Sequence, residues 1–119
     1  MHELGIAESI LARVQRELTQ RKALRATKVG VRIGELSGVD PAALSFGFEA
    51  LVKDTPFESL VLEIDCRKRK QRCAACACEF ETTSLLFSSC PNCGSGNTVC
   101  VAGQELDIAF IELEELACV

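Results

Sequence analysis

Two paired cysteine units constrain this chain more than any other feature: Cys73-Ala-Ala-Cys76 and Cys90-Pro-Asn-Cys93, separated by residues 77 to 89. A CxxC turn aims two thiolates at one point, and two such turns complete a tetrahedron around one ion. The separation is slightly shorter than the commonest zinc-ribbon window, yet it leaves room for two short strands and a turn. Gly94, directly after Cys93, suits a tight knuckle because glycine tolerates positive φ. Protein would fill every tetrahedral position, leaving none for a substrate. The expectation is a structural zinc held by Cys73, Cys76, Cys90 and Cys93. The plainer alternative is a set of buried or disulfide-bonded cysteines. Cys66, Cys78, Cys100 and Cys118 read as ordinary thiols, although Cys78 lies close enough behind Cys76 to compete as a ligand.

Compartment decides between metal and disulfides. Eight cysteines in a secreted mini-protein would imply a disulfide framework, whereas a reducing compartment favours metal ligation. The N-terminus carries Glu3 and Glu8 and no basic leader, so it does not read as a secretory signal and a cytoplasmic location is expected. The apolar stretches are strand-length or interrupted by charge, which leaves no transmembrane helix and no membrane role. With 119 residues, 48% of them hydrophobic, the chain can bury a core as one compact domain or as a small domain with a module attached.

Charge argues against nucleic acid as a partner. The net charge is −4, and residues 73 to 100 contain Glu79 and Glu81 but no Lys or Arg. Four thiolates around a divalent ion leave that region more negative still, whereas a nucleic-acid-binding ribbon needs basic side chains beside its metal. The one basic run, Arg67-Lys68-Arg69-Lys70-Gln71-Arg72, reads as a solvated hinge. Residues 103 to 119 hold Glu105, Asp107, Glu112, Glu114 and Glu115 with no Lys or Arg.

Periodicity sets the order of elements. Leu4, Ala7, Ile10, Leu11, Val14 and Leu18 recur at helical spacing, which predicts an amphipathic helix over residues 4 to 18. Lys28 to Ile33 alternates as a strand with Val29, Val31 and Ile33 on one face. Asp40-Pro41 reads as an N-cap and first helical residue, opening a second helix with Leu44, Phe48, Leu51 and Val52 as its apolar stripe. Lys53-Asp54-Thr55-Pro56 stops it. A second strand spans Leu60 to Arg67, with Leu60, Leu62, Ile64 and Cys66 on one face. A third spans Glu105 to Leu113, with Leu106, Ile108 and Phe110 as its expected core face.

The fold class is therefore α+β: two helices on a three-stranded mixed sheet, with an inserted four-cysteine zinc-ribbon-like module. The strand–helix–strand unit makes the first two strands parallel if they are neighbours. The expected division is one α/β domain from residues 1–67 and 103–119, with the zinc module as residues 68–102.

His2 is the single histidine. A histidine near a terminus is most often a plain surface residue, but here an α-amine, an imidazole and backbone amides lie adjacent along three residues. Ni(II) and Cu(II) favour planar nitrogen sets of this kind. At this point the whole chain resembles the HypA/HybF family of hydrogenase nickel-insertion proteins. The resemblance rests on Met1-His2-Glu3-Leu4, Gly34-Glu35-Leu36-Ser37-Gly38-Val39, the two CxxC units, and Gly103-Gln104-Glu105-Leu106-Asp107-Ile108 leading to Ile111-Glu112. It implies a nickel metallochaperone that holds its cargo at Met1, His2 and Glu3. It also implies as partners a nickel-handling GTPase, the large-subunit precursor of a [NiFe] hydrogenase and, in some organisms, urease maturation factors. Family members carry glycine after the second cysteine where this chain has Ala77-Cys78, which raises the question of how the first knuckle turns.

An enzyme is not expected, because the sequence offers no nucleophile–base pair and no phosphate-cradling glycine loop. Two rivals remain at the level of sequence: a zinc-ribbon adaptor that binds a protein or nucleic-acid partner without nickel, and a thiol switch using Cys78, Cys100 or Cys118.

Overall fold

The computed structural model describes residues 3–82 and 89–115. Helix α1 spans Glu3–Arg21 and buries Ala7, Ile10 and Val14 of the expected stripe, with Leu11 and Leu18 packed against the core. Leu4 is exposed instead, and Ile6, which the spacing did not single out, is buried. Its solvent side is laced by Glu17, which accepts from Arg13 and Arg21 at 3.2 Å each. The helix closes on Lys22 at φ +51, with the Ala23 amide donating to the Leu18 carbonyl. Strand β1, Arg25–Gly34, follows and starts three residues earlier than alternation alone suggests.

Helix α2 spans Pro41–Val52. The Asp40 carboxylate accepts from the Ala42 amide at 3.0 Å, and Pro41 occupies the first turn, where its missing N–H costs nothing. Leu44, Phe48 and Val52 face inward. Burying each such side chain contributes about 1.5–3 kcal/mol of transfer free energy. Strand β2, Val61–Arg67, completes the crossover.

The principal sheet has the order β2-β1-β6, with β6 spanning Leu106–Glu114. β1 runs parallel to β2 and antiparallel to β6, so the sheet is mixed. Val29, Val31 and Ile33 on the central strand are each 3% exposed or less and meet both helices in one core. Leu62 and Ile64 from β2 pack against that core, as do Ile108, Ile111 and Leu113 from β6. Cys66 pairs in register with Ile33 but lies exposed at the end of its strand.

One face assignment needs correction. Leu106, Ile108 and Phe110 were expected to share a face, yet Phe110 pairs with Gly30 while Ile108 pairs with Val31, leaving Ala109 without a partner. That bulge flips the side-chain parity. Beyond it Ile111 and Leu113 take the core face, and Phe110 turns to the open face, where its ring covers the space a Gly30 Cβ would occupy.

The chain between β2 and β6 forms a second, antiparallel sheet of order β4-β3-β5, with β3 at Lys70–Cys73, β4 at Glu79–Glu81 and β5 at Thr98–Ala102. Here too the sequence reading changes. Lys70, Gln71 and Arg72 of the basic run are strand rather than hinge, because β4 and β5 supply partners on both edges of β3. Its charges meet acids: Lys68 faces Glu81 at 4.0 Å, and Arg72 faces Glu79 at 3.4 Å. The strands framing the site lie before Cys73 and after Cys93, with β4 between the CxxC units.

The two sheets join at the Gly34–Val39 segment. The Glu35 amide donates to the Arg67 carbonyl at 2.8 Å, the Leu36 amide to the Gly103 carbonyl at 2.6 Å, and the Arg69 amide to the Glu35 carboxylate at 2.8 Å. A Cβ at Gly34 would fall inside the Gly103 backbone. Gly103 adopts φ +111, and a Cβ there would lie 2.7 Å from the Arg69 Cα. Both glycines are therefore required by close backbone approach.

Candidate metal centre

Cys73 ends β3 and Cys76 follows on the turn that leads to β4; Cys90 and Cys93 lie on the matching turn that leads to β5. The two turns are built alike. The Ala77 amide donates to the Cys73 carbonyl at 2.9 Å, and the Gly94 amide donates to the Cys90 carbonyl at 2.8 Å. Ala77 has φ +63 and Gly94 φ +77. The first knuckle thus keeps the left-handed turn despite its alanine. A side chain there is tolerated but strained.

All four Sγ atoms lie within 4.8 Å of one another, and the Cys73–Cys93 and Cys76–Cys90 pairs are both at 3.5 Å. A tetrahedron of thiolates with metal–sulfur bonds of about 2.3 Å has edges of about 3.8 Å. The cluster has that scale, so its donor set fits a tetrahedral ion. Cys73 and Cys90 are buried, whereas Cys93 reaches the surface. Cys78 stands beside the cluster but outside it, its thiol directed at the Glu79 carbonyl at 3.7 Å.

Thiol acidity is uneven across the cluster. The Asn92 amide, 3.6 Å from the Cys76 sulfur, brings the Cys76 thiol down to about 6, helped by the Cys78 backbone amide and the Cys90 thiol. The Cys76 backbone amide lowers Cys73 in the same sense. Cys93 goes the other way. The Ser95 amide pulls it down, but the Cys73 thiol, burial, and the Cys76 and Cys90 sulfurs outweigh that and push it up to about 12. Burial first, and then the charges of Cys90 and Cys76, raise Cys78. Four negative sulfurs cannot share so small a volume without a compensating ion. Sequence spacing did not single out Asn92; the only signal was an amide side chain placed between two cysteines.

The second set of expected ligands lies at the other end of the chain. Met1 and His2 fall outside the described residues. Glu3 opens α1, and its carboxylate accepts from the Asp40 backbone amide at 3.3 Å, joining the start of α1 to the cap of α2. No helix among the described residues is long and apolar enough to cross a membrane.

Comparison with known proteins places this architecture. The family model described as "Hydrogenase/urease nickel incorporation, metallochaperone, hypA" matches residues 1–113. A "Hydrogenase maturation factor HypA" of Solidesulfovibrio magneticus is 39% identical over 118 residues, covering 96% of this chain and all of that protein. The factor of the same name from Geobacter sp. is 40% identical over 114 residues, with 96% and 100% covered. Among solved structures, the solution structure of the Ni metallochaperone HypA from Helicobacter pylori superposes with a TM-score of 0.65 at 25% identity, over 98% of this chain and 100% of that one. A second structure, titled "Solution structure of HypA protein", gives 0.70 at 25% identity, over 95% and 96%. A match running from the first residue through β6, carried by both sequence and fold, makes this chain a member of the HypA family, nickel metallochaperones of hydrogenase maturation rather than enzymes.

Proposed function

We propose that this chain binds Ni(II) at Met1, His2 and Glu3 and hands it on during maturation of a [NiFe] hydrogenase, while Cys73, Cys76, Cys90 and Cys93 hold a structural zinc. The zinc module is residues 68–102, inserted between the two parts of the nickel-binding domain, 1–67 and 103–119. Convergence of the four sulfurs into a closed set supports this division of labour most directly. A resident ion with four protein ligands has no vacant position for ligand exchange. A cargo ion needs other donors, and His2 is the one imidazole in the chain.

The chemistry of the two sites differs accordingly. Nickel at the terminus takes the Met1 amine, the His2 imidazole and main-chain nitrogens, a planar set suited to Ni(II). Glu3 contributes chiefly its main-chain nitrogen, which agrees with a carboxylate engaged by the Asp40 amide. Few residues hold the ion, so it leaves by stepwise exchange. Binding displaces amide protons and therefore weakens as pH falls. The partners are a nickel-handling GTPase and the hydrogenase large-subunit precursor, with urease maturation factors as a further recipient route, in the cytoplasm.

Titrating the zinc-loaded, untagged protein with Ni²⁺ tests this reading. One additional equivalent should bind, be lost in His2→Ala, and be lost when one residue is placed before Met1. Unchanged nickel binding in either variant overturns the ligand set. No nickel binding at all favours the zinc adaptor.

A further inference from the structure

We propose that the free edge of β6 receives an extended, basic segment of a partner protein, which adds to the principal sheet as a fourth strand beside α1. The proposal goes beyond the nickel reading and does not depend on its ligand set.

β6 ends the strand order β2-β1-β6, and among the described residues no strand pairs with its outer side. It is nine residues long and contains neither proline nor lysine, two of the devices that usually protect such an edge from pairing. The device it does carry is the bulge at Ala109, which leaves Leu106–Ile108 and Ile111–Glu114 as regular stretches on either side. A trough runs along it. At one end a cavity of about 720 Å³ lies between Gly5, Ser9 and Arg13 of α1 and Leu106 and Ile108 of β6, floored by the buried core residues Ile10 and Val31. At the other end a cavity of about 440 Å³ lies between Arg13, Glu17 and Arg21 and the stretch from Ile108 to Leu113. Arg13 and Ile108 line both, so the two adjoin.

The α1 side of the trough is the row 5, 9, 13, 17, 21, one residue per turn. Its first two members, Gly5 and Ser9, are small and leave the apolar end open. An extended chain placed here would satisfy the free backbone groups of β6 and set alternate side chains onto that apolar floor. Charge selects its other side chains. Asp107 is engaged by Arg32 and Glu114 by Arg25, whereas Glu112 and Glu115 are exposed and have no ion pair among the described residues. A second copy of β6 would add its own acids, Asp107, Glu112 and Glu114, to an edge that already carries them. A strand alternating aliphatic residues with Lys or Arg fits instead.

The test uses the full-length, zinc-loaded protein and a nine-residue peptide alternating valine and lysine, the length of β6. Amide shifts should concentrate on Leu106–Glu114 and the facing side of α1, with cross-strand contacts to the peptide. Glu112→Lys combined with Glu115→Lys should weaken binding by about tenfold or more, as should Ser9→Trp, which fills the trough from exposed helix surface. Circular dichroism confirms that each variant stays folded. Equal affinity for a valine–glutamate peptide, shifts centred on the β3–β5 sheet, or a β6-mediated dimer that the peptide does not disperse would overturn the proposal.

Discussion

Ala77 offers the sharpest check on the first CxxC knuckle. It holds φ +63 at the position that Gly94 occupies, at φ +77, in the second knuckle. Ala77→Gly removes the steric cost of a left-handed non-glycine residue, roughly 1–2 kcal/mol. The greater freedom of glycine in the unfolded chain takes back about 0.4–1 kcal/mol. The net gain is about 0.5–1 kcal/mol, because the amide donation from residue 77 to the Cys73 carbonyl survives the change. Gly94→Ala runs the experiment in reverse. A Cβ there would meet nothing within 4 Å, so its cost is conformational only. Where a site forms around its ion, folding free energy appears as metal affinity. Competition with a zinc chelator should therefore show affinity raised about two- to fivefold in Ala77→Gly and lowered in Gly94→Ala. A neutral or weakening Ala77→Gly would refute the left-handed turn at Ala77 and the equivalence of the two knuckles.

Three further outcomes follow from the packing and the charges. Gly34→Ala drives a Cβ into the Gly103 backbone at the junction of the sheets; urea denaturation should show a loss of more than about 3 kcal/mol. Gly30→Val drives its side chain into the Phe110 ring on the open face. It should cost roughly 1–3 kcal/mol, and a double-mutant cycle should show that cost shrinking in a Phe110→Ala background. Hydrogen bonds from Arg21 and then Arg13 hold the Glu17 carboxyl below its ordinary value. A depressed carboxyl stabilises the fold above its unfolded value, and that contribution is lost as pH falls through the folded one. A carboxyl NMR titration should place the Glu17 midpoint below the ordinary glutamate range, and Arg21→Ala should raise it.

Sequence alone determined the features governed by local rules. The helical spacing of Ala7, Ile10 and Val14, the Asp40-Pro41 cap and the alternation of Val29, Val31 and Ile33 each depend on neighbours a few residues away. The convergence of Cys73, Cys76, Cys90 and Cys93 was legible for the same reason, since a CxxC turn is a local structure whose spacing sets two thiols toward one point. Tertiary structure decided what depends on residues far apart in the chain. Phe110 changed faces because the pairing of β6 with β1 admits a bulge at Ala109, and no pattern within β6 marks it. Lys70–Cys73 became a strand because β5, almost thirty residues later, supplies its partner. The Gly34 and Gly103 positions took their meaning from each other, across a backbone contact that no local rule contains. Periodicity reports which side of an element is apolar; register, bulges and junctions are settled only when the strands meet.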